Sequence, residues 1–233
     1  MSKTISGIVT WLRNWFYTKP EVDNLVGSIS IEDTDLFDVL QCVIDNFDDF
    51  DTEYLFYDDC TSVDGLNSYG NGLSLRDNAT TTLSYDSTMN AYKVNNSAQG
   101  CGMIPITVLN GKNNFKFEFD LYSNTGDKGL GFAMKNTSSN DFHYLGFSCY
   151  LGRNVFWSNN NETIFGDTIA KTTWHHIIIT VTSSTITYDI DNGSQTGSFS
   201  TYISMDNNVV IGIESQWASG DSGYVKNIKV ERL

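Results

Sequence analysis

The stretch Thr173–Gly193, TWHHIIITVTSSTITYDIDNG, constrains the fold more than any other part of the chain. Two apolar runs of period two flank a short Ser-Ser turn. The second runs into Asp191-Asn192-Gly193, a strong hairpin signal. The same pattern recurs at Phe115, Phe117, Phe119 and Leu121, which alternate with Lys116, Glu118 and Asp120 and so form a strand with one buried face. Further strands are expected at Leu73–Arg76, Ala91–Val94, Leu130–Met134, Tyr144–Tyr150, Val155–Ser158, Asn208–Ile213 and Tyr224–Val230. Turn signals rich in Asn, Gly, Ser and Asp separate them. Many short strands without intervening helices predict a mainly β, two-sheet antiparallel sandwich over residues 54–233.

At 233 residues the chain is long enough to bury a core without metals or cross-links. Its net charge of −14 is unevenly placed. Residues 1–19 hold three bases and no acid, residues 20–75 hold 14 acids and no base, and residues 76–233 are nearly balanced at 14 acids to 11 bases. Such an acidic chain repels phosphate backbones, which argues against nucleic acid as a partner. The acidic zone reads either as a solvated face or as a calcium site or docking surface. The cysteines Cys42, Cys60, Cys101 and Cys149 lack zinc-ligand spacing. Cys60 and Cys101 are candidates for a bond across the sandwich, with buried free thiols the favoured alternative. The amphipathic start lacks a cleavage site, so no signal peptide is expected. No apolar run approaches the ~20 residues that cross a bilayer.

Residues 1–53 read differently. Over residues 4–17, Ile5, Ile8, Val9, Leu12, Trp15 and Phe16 share one helical face that a partner, symmetry mates or the rest of the chain must bury, with membrane contact the rival reading. Thr18 and Glu21 then form a capping box, with Pro20 tolerated in the first turn. Over residues 34–50, Leu36, Leu40, Val43, Phe47 and Phe50 alternate at steps of four and three, the seam of a coiled coil. Residues 1–53 are therefore expected to form a helical oligomerisation and attachment segment, a homotrimeric base.

Two resemblances follow. The segment Tyr17-Thr18-Lys19-Pro20-Glu21-Val22-Asp23-Asn24-Leu25 resembles an element common in tail fibres of phages and archaeal viruses, where it precedes trimeric stalks or tip domains. Residues 54–233 resemble the concanavalin A-like or laminin G-like jelly roll. The likeness lies in the opening Leu55-Phe56-Tyr57-Asp58-Asp59, the strand Phe115–Asp120, the strand Trp174–Val181 and the closing Gly223–Val230. The second resemblance implies that the two ends of the domain lie in adjacent strands and that Trp174 packs between the sheets.

Catalysis is not expected. Glu118 and Asp120 alternate on one strand, but no second catalytic glutamate follows, and a retaining glycosidase needs two carboxylates roughly 5–5.5 Å apart. There is no G-x-S-x-G element, and His175 and His176 fall on opposite faces of one strand. The jelly-roll resemblance implies a calcium site near the chain ends, with Asp58, Asp59, Asp64 and Asp221 as oxygen donors. For a surface glycan, Trp157 beside Asn159 and Asn160, together with Tyr150 and Trp217, offer aromatic platforms next to amides; packing is the competing role for both tryptophans.

The expectation is a viral tail-fibre or receptor-binding protein, located in the virion tail. Residues 1–53 would trimerise and attach to other tail or baseplate proteins, and the sandwich would bind a host surface carbohydrate or cell-wall polymer. A cellular laminin G-like adhesion or carbohydrate-binding module, extracellular or at the cell surface, is the alternative.

Overall fold

The computed structural model describes residues 54–108, 114–124, 128–149, 152–158, 161–201, 203, 208–217 and 219–233. The expected helices of residues 1–53 lie outside the described residues, as do Tyr150, Asn159 and Asn160; Trp217 and Asp221 are placed by their backbone alone. Two sheets account for the unit Tyr54–Leu233.

In chain order the strands are β1 (Tyr54–Asp58), β2 (Leu73–Arg76), β3 (Thr81–Asp86), β4 (Ala91–Asn96), β5 (Gly100–Val108), β6 (Phe115–Ser123), β7 (Gly129–Asn136) and β8 (Phe142–Phe147). They continue with β9 (Asn154–Ser158), β10 (Asn161–Phe165), β11 (Trp174–Val181), β12 (Thr185–Ile190), β13 (Gln195–Ser200), β14 (Val209–Trp217) and β15 (Gly220–Arg232). One sheet, here sheet A, runs β13-β12-β11-β6-β15-β4-β3, with β1 also paired to β15. The other, sheet B, runs β10-β9-β8-β7-β14-β5-β2. Every pairing is antiparallel. The pairing of β1 with β15 puts the two ends of the described domain side by side, as the jelly-roll resemblance implies.

Alternation decides what is buried. In β6 the sequence FKFEFDLYS buries every second residue, and β11 and β12 repeat the pattern. Phe115, Phe117, Phe119, Ile177, Ile179 and Val230 of sheet A meet Phe132, Leu145, Phe147, Ile211 and Ile213 of sheet B in one core cluster. Fully burying such a side chain is worth roughly 1.5–3 kcal/mol. The turn after β12 places Asp191, Asn192 and Gly193 at positive φ of 53°, 54° and 92°, the left-handed conformation that Asn-Gly sequences supply.

Some strands differ from the expected limits. β8 stops at Phe147 rather than running to residue 150, because Ser148 turns into the left-handed region at φ 53°. β14 continues through Glu214, Ser215 and Gln216, beyond the expected end at Ile213. Trp174 is not between the sheets: it shares the outward side of β11 with His176, where it packs on Tyr122 (ring centroids 5.6 Å apart) and under the Lys226 ammonium at 4.2 Å. The alternation that points Ile177 inward sends position 174 outward.

Candidate functional site

The face of sheet B turned away from the core is the chemically unusual surface of the domain. Val209, Ile211 and Ile213 of β14 point into the core, so Val210, Gly212, Glu214 and Gln216 occupy the opposite face. Glu214 is opposite Met103 of β5 and Gly131 of β7, and Gly131 is opposite Gly146 of β8. Gln216 lies between Cys101 and Gly129 in the same way. The glycines form a floor without side chains. A Cβ at Gly146 would strike the Gln216 amide and the Cys149 thiol, and one at Gly129 would strike the same thiol.

Side chains from distant strands meet over that floor. The Arg76 guanidinium, at the end of β2, lies 4.5 Å from the centroid of the Trp157 ring on β9, although four strands separate them in the sheet. Tyr144 of β8 likewise reaches Cys101 of β5, whose Sγ donates to the phenol oxygen at 3.5 Å across β7 and β14. Such reach requires sheet B to curl into a trough, which the packed side chains of Leu75, Cys101, Met103, Tyr144 and Val210 fill beneath the Arg76–Trp157 pair. A guanidinium on an indole face contributes about 0.5–2 kcal/mol. Along one wall Phe142, Tyr144 and Trp157 stand with nearly parallel rings, at centroid distances of 6.3 and 6.0 Å.

Inside the trough lies a polar cluster. Glu214 has no exposed surface, and neither carboxyl oxygen has a hydrogen-bond partner. Burial pushes its pKa well above the usual carboxylate range, and the nearby Arg76 charge only partly opposes this. Gln216 Nε2 donates to Cys149 Sγ at 2.6 Å, while Cys101 Sγ lies 3.9 Å from Gln216 Oε1. Burial raises the Cys101 thiol to about 12 and holds the Cys149 thiol well above its ordinary value, so both are neutral. Arg76 also pairs with Asp77 at 3.1 Å.

The sequence-predicted positions divide accordingly. Trp157 is half-buried at the rim of this trough, and Trp217 ends β14 three residues after Glu214. Asp58 serves another purpose: its carboxylate accepts from the hydroxyls of Tyr69 (3.1 Å) and Tyr92 (3.0 Å) and from the Cys60 amide (2.7 Å). Asp59 accepts from the Thr61 hydroxyl and amide, and Asp64 begins a 3-10 turn over Asp64–Ser68. Among the described residues no three His, Cys, Asp or Glu side chains converge as a metal set. Through its bonds to Tyr69, Tyr92 and Cys60, Asp58 pins the opening loop to the sandwich. Cys60 lies in the core and Cys101 on the far face of sheet B; Cys60, Cys101 and Cys149 are all free and buried.

On the outward face of sheet A, Glu118 and Asp120 belong to a charge ladder. His176 Nδ1 is 2.8 Å from Asp120, its Nε2 is 3.6 Å from Glu118, and Lys116 bridges Glu118 and Glu231. Asn227 also donates to Asp120. His175 faces the other way, held between Asp191 at 2.7 Å and the Ala170 carbonyl at 2.9 Å.

Glu214, Gln216, Arg76 and Tyr144 were not among the expected site residues. The available signal was the run Val209–Gln216, VVIGIESQ, in which alternation places Gly212, Glu214 and Gln216 on one face. A carboxylate inside an otherwise apolar strand, beside Gly131, marks a position that packing alone does not explain.

No protein-family model and no curated protein matches the chain. Solved structures are similar in fold. A Bacillus subtilis protein of unknown function with a galectin-like fold superposes with a TM-score of 0.53 at 6% identity, over 78% of this chain and 98% of that one. A sialidase gives 0.53 at 13% identity, over 76% of this chain and 18% of that one. A carbohydrate binding module from Bacillus subtilis gives 0.46 at 11% identity, over 70% of this chain and 95% of that one. The domain is thus a galectin-like sandwich of two antiparallel sheets.

Proposed function

We propose that this chain is a viral receptor-binding protein whose sandwich binds a host surface carbohydrate in the trough of sheet B. The observation that carries the reading is the partly exposed pair Trp157 and Phe142, stacked with the buried Tyr144, beside a buried acid with no hydrogen-bond partner. Ring faces accept the C–H side of a sugar, and a few convergent polar groups fix its orientation. An unsatisfied buried group costs roughly 1–3 kcal/mol. Such a cost persists where a ligand supplies the missing partner. The virion assignment draws on the fibre-like segment Tyr17–Leu25 and on the heptad seam of residues 34–50, which together imply a trimeric, attached base.

Binding rather than turnover is the role that fits. Glu118 and Asp120 are engaged by Lys116, His176 and Asn227 on the opposite sheet. The test is a glycan array probed with the full chain and with Trp157→Ala, alongside light scattering. The expected result is a trimer that binds a discrete set of glycans and loses them on Trp157→Ala. A chain that is monomeric at micromolar concentration removes the fibre base. A folded chain that binds no glycan removes the carbohydrate reading.

A further inference from the structure

The β13 end of sheet A is built differently from the other sheet edges. β13 (Gln195–Ser200) closes the strand order of sheet A, and among the described residues no strand lies beyond it. Proteins blunt such an edge with a charge, a proline, a bulge or a short strand. The other terminal strands use these devices: β2 has four residues and a register shift before Arg76, β3 carries Asp86, and β10 carries Glu162. β13 reads QTGSFS, without charge or proline, and keeps an unbroken register with β12. Its ladder also fixes which main-chain groups face out. The Thr201 amide donates to the Ser184 carbonyl at 3.0 Å, one step beyond the facing pair Thr185 and Ser200. Hydrogen-bonded pairs alternate in an antiparallel ladder, so Phe199, Gly197 and Gln195 bond to β12. Thr196, Ser198 and Ser200 therefore turn both N–H and C=O away from β12, and all three are exposed.

We propose that this edge pairs with the β13 edge of a second copy of the chain, antiparallel and about a two-fold axis at Ser198. The edge is self-complementary in that register. Ser198 faces the partner's Ser198 and Thr196 faces the partner's Ser200, so every pair that meets has its main-chain groups pointing outward and exchanges both hydrogen bonds. The side chains that come together are hydroxyls, whereas two β10 edges would bring like charges together at Glu162. On the inner side the partner's Phe199 falls opposite Gly197, which has no side chain to oppose it. Neither phenyl ring then has to leave its stack on Phe156, 4.1 Å away. The two-fold axis runs perpendicular to sheet A, so the outer faces of both copies of sheet B lie on the same side. The pair thus presents two Trp157 surfaces in one direction, an arrangement that raises avidity for a repeated ligand. The pairing itself does not depend on the carbohydrate reading.

The experiment follows the solution mass of the full chain by sedimentation as concentration rises, for wild type and for Ser198→Pro. Proline removes the outward N–H of an edge strand and spares the ladder to β12, to which Ser198 does not bond. The wild-type mass should climb to about twice that of Ser198→Pro, whatever oligomer residues 1–53 form, because the pairing joins sandwiches two by two. Ser198→Cys supplies an independent readout. The facing Cα atoms of a hydrogen-bonded pair lie about 5.5 Å apart, within disulfide reach. Under glutathione disulfide, which is reduced to two thiols as the new S–S bond forms, Ser198→Cys should link into covalent dimers faster than Asn192→Cys, an exposed position in the turn before β13. Equal masses for wild type and folded Ser198→Pro overturn the pairing. So does linking of Ser198→Cys no faster than that of Asn192→Cys, and this comparison decides alone if the proline variant does not fold. An edge covered by residues 1–53 of the same chain, or by a different protein, gives these overturning results.

Discussion

Replacing Glu214 by Gln should make the protein more stable, increasingly so as the pH rises. The side chain is fully buried and both oxygens lack partners, and burial raises its pKa well above the ordinary carboxylate value of 4.5. The folded state therefore keeps a proton that the unfolded chain releases above about pH 4.5. Because the folded state binds more protons in that window, stability falls as pH rises until the folded acid itself ionises. The slope for one group is about 1.4 kcal/mol per pH unit. Above pH 4.5 the difference between Glu214→Gln and wild type should thus widen with pH, by up to about 1.4 kcal/mol per unit, until the folded acid ionises. For a domain of this size that is about 3–6 °C in melting temperature. Groups common to both proteins cancel in the difference. The assay is differential scanning calorimetry of both full chains at half-unit pH steps from 4.5 to 7.5. Parallel Tm profiles would refute the reasoning, because they would mean that Glu214 is already ionised and fully compensated in the fold.

His143, 1% exposed on β8, has its pKa lowered to about 4 by burial, from an ordinary value of 6.5. The unfolded chain gains a proton below pH 6.5 that the folded state refuses, so stability falls from pH 6.5 towards 4, by up to about 3 kcal/mol; urea melts at pH 7 and 4.5 should show that loss reduced in His143→Gln. Gly146→Ala should destabilise by about 1–3 kcal/mol, since the new methyl meets the Gln216 amide and the Cys149 thiol, and glycan binding should fall with it. Phe132→Ala in the core should cost about 3–5 kcal/mol in chemical denaturation. Arg76→Ala should leave the fold intact by circular dichroism and change the Trp157 fluorescence, because it removes the cation from the indole face.

The architecture was legible because alternation is a local signal. Phe115 to Leu121 and Ile177 to Ile190 announce one buried face each, and Asp191-Asn192-Gly193 announces the turn between β12 and β13. Strands with weaker alternation, such as Thr81–Asp86 and Gln195–Ser200, were not anticipated, since polar edge positions dilute the pattern. The trough was legible only at Trp157. Its other parts depend on non-local geometry: Arg76 and Trp157 are 4.5 Å apart only because sheet B curls. Asp58 depends on non-local geometry too: its oxygens meet the hydroxyls of Tyr69 and Tyr92, 11 and 34 positions further along the chain. Trp174 was misplaced because a family likeness carried more weight than the parity of its own strand.

The most direct test of the trough as the binding site is a titration of the full chain with the tightest-binding glycan of the array, followed by the tryptophan indole N–H signals. Trp157→Phe and Trp174→Phe supply the assignments. The account predicts that the Trp157 signal shifts with saturation while Trp174, on the outward face of sheet A, stays in place. A shift at Trp174 with Trp157 unmoved would place the ligand on the other sheet and contradict the account.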